Sequence, residues 1–456
     1  MTDMILLRER VEELLEAKDL RTLREELARE EGADLAELFA ELPEERHRLV
    51  FRLLPKELAA LAFSEMEAED QLSLIRSFAD RELREVLDEL YLDDTVDLIE
   101  EMPAGVVSRI LKNCSPGDRA VINQLLRYDS DSAGGMMTTE YVRLRQQMTV
   151  EQAFVTIRRD AYDKESVYTC YVTDESRHLL GLVDVRTLLV SPEDTPLEEL
   201  MNRDVISLAT DTPAEEVALT FEKYNFLAIP ICDGEGRLVG IVTVDDAMDV
   251  ARREVEEDIA LMAAVTPTET PYLRTPAHRL FLGRIPWLLL LMLTATFTGM
   301  IISGFESALS ASVILTAFIP MLMGTGGNSG SQASVTVIRG LSLGEIRLAD
   351  AGRVLWKELR VSVLCATALG LVTFLKLITL DRLLMGPEVT VTVAATVTLA
   401  LFATVLLAKL IGCLMPLLAH ACRLDPAVMA GPFITTLVDA LSLLVYFGVA
   451  QSVLSI

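Results

Sequence analysis

Asp439 is a single carboxylate inside an otherwise apolar run from 426 to 456. A charged side chain at the centre of a bilayer costs about 2.5–3.5 kcal/mol on insertion scales, so a chain that keeps one there sets it against water or protein. The bland alternative is a pair with Lys409, although a long lysine stem also lets its ammonium reach an interface. A second run, PMLMGTGGNSGSQ from Pro320, puts a proline, four glycines, Asn328 and Ser331 into another apolar stretch. Broken helices are tolerated at membrane depth where the freed backbone lines a wet path. Close helix packing through small residues is the competing explanation, with Asn328 and Ser331 then packing partners. Carboxylates, amides, hydroxyls and carbonyls together suit Mg2+, which keeps several of its waters, and Ca2+ or Mn2+ satisfy the same logic. One carboxylate per chain is thin equipment for a dication. A homodimer whose symmetry axis carries the path would bring two together.

A third candidate lies at 245–264, DDAMDVARREVEEDIALMAA, with helix formers throughout and no Gly or Pro. Asp246, Asp249, Glu254, Glu257 and Asp258 recur so that several share a helix face. A solvated face is the usual reason for such a run. Here Arg252 and Arg253 are too few to neutralise it, and the helix must end beside lipid. Unpaired like charges there need a counter-ion.

These residues need two unlike environments, and the composition supplies them. In the first 270 residues 29 Lys and Arg face 60 Asp and Glu, whereas in the remaining 186 the numbers are 12 and 8. An acidic water-facing half is joined to a membrane half, and a pI near 4.6 argues against nucleic acid as a partner. The six cysteines lie far apart with no CxxC pair, so neither a disulfide scaffold nor a zinc site is indicated. Apolar runs at 285–305, 307–338, 360–380, 389–408 and 426–456 each suffice for a membrane helix, five in all. Arg339, Arg347, Arg353, Lys357 and Arg423 fall in loops on one side and Arg382 on the other. The basic side is cytosolic, with the N-terminal half, and the C-terminus faces out. Only Ile5, Leu6 and Leu7 precede the first charges, too short for the apolar core of a secretory signal.

Within the acidic half a twelve-residue period carries apolar anchors at Leu42, Leu54, Met66, Phe78, Leu90, Met102 and Cys114. Pro43, Pro55 and Pro103 follow anchors, where a first helical turn tolerates proline. This predicts a superhelix of short stacked helices. Asp93 and Asp94 stand at one helix start, where the dipole favours negative charge. From Met137 the pattern becomes β-branched and repeats once: MTTEYVRL returns as MNRDVISL at Met201, and GLVDV at Gly181 as GIVTV at Gly240. Each copy alternates short strands with helices.

The DSAGGMMTTEY run from Asp131 and this duplication resemble tandem CBS domains, α/β modules that often sense adenosine nucleotides or ions. Only the second copy keeps their T-x-x-D nucleotide signature, as Thr243 and Asp246; the first has Asp184 and Thr187 there. Over nearly its whole length the chain resembles the bacterial MgtE magnesium channels and transporters, with PMLMGTGGNSGSQ and GPFITTLVDALSLL (from Gly431) similar to that family's pore motifs. The resemblance implies a multidomain membrane protein: an all-α superhelical N domain (1–132), two CBS domains (133–200 and 201–250), a linking plug helix (251–275) and a five-helix transmembrane domain (276–456). It implies a homodimeric, magnesium-selective pore in the bacterial inner membrane, with Asp439 holding the ion, closed when cytosolic Mg2+ binds between domains, and ATP as a further ligand of the CBS pair. Carried over residue by residue, the regulatory Mg2+ ligands are Asp93, Asp97, Asp246, Asp249, Glu254, Glu257 and Asp258, with Glu215 and Asp425 as weaker matches. Asn225 and Gly431 stand where family members offer a polar ligand.

Two other readings remain at this level. A proton- or sodium-coupled carrier would move its co-ion stoichiometrically, and a nucleotide-sensing membrane receptor would move no ion. No nucleophile and base arrangement favours an enzyme, and GTGGNSG lacks the lysine and the strand-to-helix setting of a P-loop.

Overall fold

The computed structural model describes residues 2–268, 270, 272–306 and 312–454. The chain forms two compact units, 1–251 and 252–456.

The first unit begins with ten helices: α1 Thr2–Ala17, α2 Leu20–Leu27, α3 Gly32–Glu41, α4 Glu44–Phe51, α5 Lys56–Ser64, α6 Ala68–Ser77, α7 Asp80–Leu87, α8 Leu92–Glu101, α9 Ala104–Asn113 and α10 Pro116–Leu125. From α2 onward they start at residues 20, 32, 44, 56, 68, 80, 92, 104 and 116, so the sequence period is the period of the structure. The anchors sit in the links just past each helix, where Leu42, Leu54, Met66, Phe78, Met102 and Cys114 are buried. Pro43, Pro55 and Pro103 are N-caps with extended backbones, one position earlier than expected. α3 packs on α5, α4 on α6, α5 on α7, α7 on α9 and α8 on α10, which winds the superhelix. Phe39, Phe51 and Phe63 repeat at the same phase and meet in tilted and edge-on contacts, at 6.0 and 6.2 Å between centroids.

Two three-stranded sheets follow. β1 Tyr141–Arg145 runs parallel to β2 Ser166–Thr173, which pairs antiparallel with β3 Leu179–Asp184. α11 Val150–Asp160, α12 Val185–Val190 and α13 Leu197–Leu200 belong to this copy. The second copy repeats the order with β4 Leu208–Ala209, α14 Ala214–Tyr224, β5 Ala228–Cys232, β6 Leu238–Thr243 and then α15 Val244–Met262. The copies are interleaved. The Ala133 and Gly134 N–H groups donate to the Thr212 and Thr210 carbonyls, Thr138 and Ile241 exchange main-chain hydrogen bonds, and Leu182 and Asn202 do the same in the other direction. Met137 fills the space a side chain at Gly240 would need, and Met201 the space at Gly181. The repeated MTTE/MNRD and GLV/GIV motifs are therefore two halves of one reciprocal contact: each methionine needs a bare α-carbon in the other copy.

The second unit holds five long helices among the described residues: Ala277–Gly304, Ile319–Ser342, Ala351–Lys376, Val391–Ala421 and Gly431–Leu454. Four candidate spans are long and apolar enough to cross a membrane, at 277–304, 348–385, 391–421 and 426–454. The second long helix fails on composition, because glycines, serines and Asn328 dilute its apolar residues. It also starts twelve residues later than the apolar run suggested: Val313–Phe318 is a 3-10 turn, and 307–311 lie outside the described residues. The expected break at the glycines is absent, and the α-helix runs unbroken from Ile319 to Ser342 with Pro320 in its first turn, where no N–H is needed. The fourth long helix lies at the centre, packed on the second, third and fifth.

Candidate functional site

In the second unit Gly326, Gly327 and Gly330 work by close approach. A Cβ on Gly326 would fall 2.7 Å from Ser442 Oγ and 2.8 Å from Thr404 Cγ2, and one on Gly330 would fall 3.1 Å from the Ala408 carbonyl. Gly412 meets the Gly330 carbonyl so closely that a Cβ there would overlap it. Small-residue packing thus accounts for Gly326, Gly330 and Gly412. Gly327 lies against Thr435 and also beside Asp439, with the Asp439 Oδ1 3.6 Å from where its Cβ would be. That oxygen is buried and accepts no hydrogen bond. Lys409 is buried on the neighbouring helix, and among the described residues that oxygen has no hydrogen bond from it. A carboxylate oxygen left unsatisfied beside a bare helix backbone is a place for a cation. Asn328 is exposed and Ser331 half-buried; Gly324, Asn328, Gln332 and Thr336, at four-residue steps, form an exposed stripe on the second long helix.

The first unit gathers the other carboxylates. Asp93 and Asp94 open α8, Asp245 and Asp246 lie in the first turn of α15, and Glu140 and Glu165 directly precede the parallel strands β1 and β2. Glu165 N–H donates to the Glu140 carbonyl at 2.9 Å, and the Glu140 carboxylate accepts from Leu92 N–H at 3.1 Å, which ties the CBS sheet to α8. Burial, then repulsion from Asp94, Asp245, Asp246 and Glu140, pushes Glu165 up to about 8. Burial and Asp246 raise Asp94 to about 7. Asp246 is raised to about 6 by burial, against a 2.6 Å hydrogen bond from the Thr243 hydroxyl. Asp93 is pushed well above the carboxylate range by burial and by Asp94. One oxygen each of Asp93 and Glu165 is buried without a partner. Among the described residues no three His, Cys, Asp or Glu side chains stand close enough together to hold a metal ion. The cluster is nonetheless a store of like charge.

Asp97 and Asp249 are exposed and add to the field at Asp94 and Asp246. Glu215 is exposed in the first turn of α14. On the later turns of α15 Glu254 and Asp258 are half-buried and Glu257 is exposed. Asp258 accepts from the Ser342 hydroxyl at 3.2 Å and is raised by burial, with Asp425 and Glu257 adding to it. Asp425 caps the 3-10 turn Pro426–Met429 through Ala427 N–H at 2.7 Å. Thr243 and Asp246, expected to meet a nucleotide, face each other and the acidic cluster. The cleft of the CBS pair, about 680 Å³, is lined elsewhere, by Tyr168, Asp184, Arg186, Asp204 and Phe226 among others. Sequence reasoning passed over Asp94, Glu140, Glu165 and Asp245 as ligands. A glutamate just before each of two parallel strands was the available signal, since parallel strands begin at the same end of a sheet.

The class to which this combination of acidic superhelix, CBS pair and glycine-packed bundle is matched is that of divalent cation transporters. Residues 319–449 match the family model described as MgtE, divalent cation transporter, 31–131 the MgtE intracellular N domain, and 197–253 the CBS domain. The chain is 39% identical to the magnesium transporter MgtE of Thermus thermophilus over 97% of its own length and 98% of that protein, and 34% identical to that of Bacillus subtilis over 95% and 94%. It belongs to the MgtE family. Among solved structures, the cytosolic domain of the Mg2+ channel MgtE in complex with ATP is similar over 53% of this chain and 98% of that one, at 42% identity and a TM-score of 0.51. The soluble part of a magnesium transporter covers 55% and 99%, at 29% identity and a TM-score of 0.52.

Proposed function

We propose that the chain carries Mg2+ across the bacterial inner membrane as a homodimeric channel, closed by cytosolic Mg2+. The observation that carries this reading is the Asp439 Oδ1, buried without a partner beside Gly327. The stripe of Gly324, Asn328, Gln332 and Thr336 supports the dimer: polar groups on a membrane helix need protein or water over them, and a twofold axis beside the stripe supplies both. Exposed Leu288, Leu293, Phe297, Leu371 and Leu375 would face lipid. The basic loops hold residues 1–275 in the cytosol and the C-terminus outside. The domain limits are those given above, with plug function assigned to the later turns of α15.

Regulation follows from repulsion. Two carboxylates 4 Å apart repel by about 4 kcal/mol at an effective dielectric of 20, and a bridging dication reverses the sign. Mg2+ at Asp93, Asp94, Glu140, Glu165 and Asp246, with Asp97 and Asp249 in the outer field, would hold the N domain on the CBS pair. Further ions at Glu254, Glu257, Asp258 and Asp425, and a weaker one at Glu215, would hold the end of α15. ATP belongs in the cleft by Tyr168 and Phe226. When cytosolic Mg2+ falls these sites empty and the open population grows.

The test is Mg2+ flux into liposomes holding the pure protein, with a proton-sensitive dye inside. A channel gives Mg2+ entry along its gradient with no proton movement, lost in Asp439→Asn. Stoichiometric proton flux would favour the coupled carrier, and no flux of any ion the nucleotide receptor.

A further inference from the structure

Gly431 opens the fifth long helix in a left-handed backbone, at φ +46°, and a Cβ there would overlap the carbonyl oxygen of Met262. Met262 is the last residue of α15. The final carbonyls of any helix lack an N–H within it. Here those of Ala260 and Leu261 are taken by the turn that follows: Val265 N–H donates to Ala260 and Ala264 N–H to Leu261, both at 2.9 Å, with Ala264 left-handed at φ 53°. The Met262 carbonyl instead lies on the bare α-carbon of Gly431. Around this contact Leu261 and Met262 pack against Ile338, Ala427 and Ala430, and Asp258 one turn back is bonded to Ser342. Gly431, Thr435 and Asp439 follow at four-residue steps, so the contact is on the same helix face as the cation site.

We infer that Gly431 is a positioning residue of the gate: its missing side chain is the seat into which the backbone end of α15 docks to hold the Asp439 helix shut. The inference rests on the gating role proposed above and names the contact through which it acts. Where a polar side chain at this position could hold an ion, glycine lets the chain close backbone on backbone. Any Cβ at 431 drives the Met262 carbonyl out, and the helix end can no longer seat with Leu261 in its apolar pocket. Closure then requires more cytosolic Mg2+.

The experiment is patch recording of the full-length protein in bilayers, with each variant's current normalised to its own value at low Mg2+. Gly431→Ala and Gly431→Asn should both raise the cytosolic Mg2+ for half-closure about tenfold, a coupling of ordinary size for two sites. Asparagine tolerates the left-handed backbone yet keeps the Cβ, so a wild-type midpoint in Gly431→Asn with a shifted one in Gly431→Ala would reduce the effect to backbone strain and overturn the seat. Leu261→Ala should shift the midpoint alone and add nothing to Gly431→Ala; full additivity overturns the shared contact. Gly448, with open space around it, serves as control, and Gly448→Ala should leave the midpoint unchanged. An unshifted midpoint in both Gly431 variants also overturns the seat. Should neither variant fold, amide exchange on the wild-type chain decides: amides 258–265 should gain protection with Mg2+, and unchanged exchange at saturating Mg2+ overturns the proposal. A wild-type chain with no Mg2+ current at all would instead remove the transport reading itself.

Discussion

At the scale of single residues, packing and chemistry meet at Gly327. Gly326, Gly327, Gly330 and Gly412 are all tight because helices cross there, and Gly327 in addition lies beside a carboxylate oxygen without a partner. Gly412→Ala forces a methyl into the Gly330 carbonyl, and overpacking of this kind costs about 1–3 kcal/mol. The melting temperature in detergent should fall by several degrees, while Gly299→Ala, in open space, should leave it unchanged. Equal melting of the two variants would mean that the crossing is looser than described. Asp439 was legible in the sequence because a lone charge in an apolar run is conspicuous. The job of each glycine was not, since GTGGNSG reads equally as a break or as a packing face, and only the partners across the crossing decide.

Among elements, the superhelix was readable almost to the residue: buried anchors every twelve residues force a helix start every twelve residues. The acidic cluster was readable only in part. DDTVD and DDAMD carry their charge visibly, but Glu140 and Glu165 are single acids at strand starts, brought in by the parallel pairing of β1 and β2. Their convergence has a titration signature. Glu165 at about 8, Asp94 at about 7 and Asp246 at about 6 all bind protons more tightly when folded than their ordinary values of 4.5, 3.8 and 3.8 allow. Stability from these groups is present below about pH 4 and lost as pH rises through 6 to 8. Glu82 has the opposite sign: burial opposes its charge, but hydrogen bonds from Ala79 N–H, Arg52 and Arg48 hold it at about 2, so its contribution is present above pH 4.5 and lost as pH falls towards 2. Without Mg2+ the chain should therefore melt higher at pH 5.5 than at 8.5. Glu165→Gln or saturating Mg2+ should flatten that difference, and a higher melting point at 8.5 in the wild type would contradict the cluster.

Over the whole molecule, α15 carries acidic residues at both of its ends. Its first turn carries Asp245 and Asp246 into the acidic cluster, and its last residue rests on the helix that bears Asp439. Under the proposed regulation, Mg2+ bound at the first turn of this helix would act through the helix itself. The sequence announced this helix by its unbroken run of helix formers at 245–264, and it forms from Val244 to Met262, so that the segment expected as the plug at 251–275 takes in its later turns. Neutralising Asp246 and Asp249 together should leave current at low Mg2+ intact and weaken closure by cytosolic Mg2+ several-fold, read as the midpoint of inhibition. An unchanged midpoint would remove both from the sensor.

The most direct test of cation-driven closure is a single-channel recording of the purified protein with only cytosolic Mg2+ varied, comparing the wild type with a chain in which Asp93, Asp94, Glu165 and Asp246 are amides. Open probability should fall steeply with Mg2+ in the first and stay high in the second, at equal unitary current. The account is contradicted if the amide chain closes over the same Mg2+ range as the wild type.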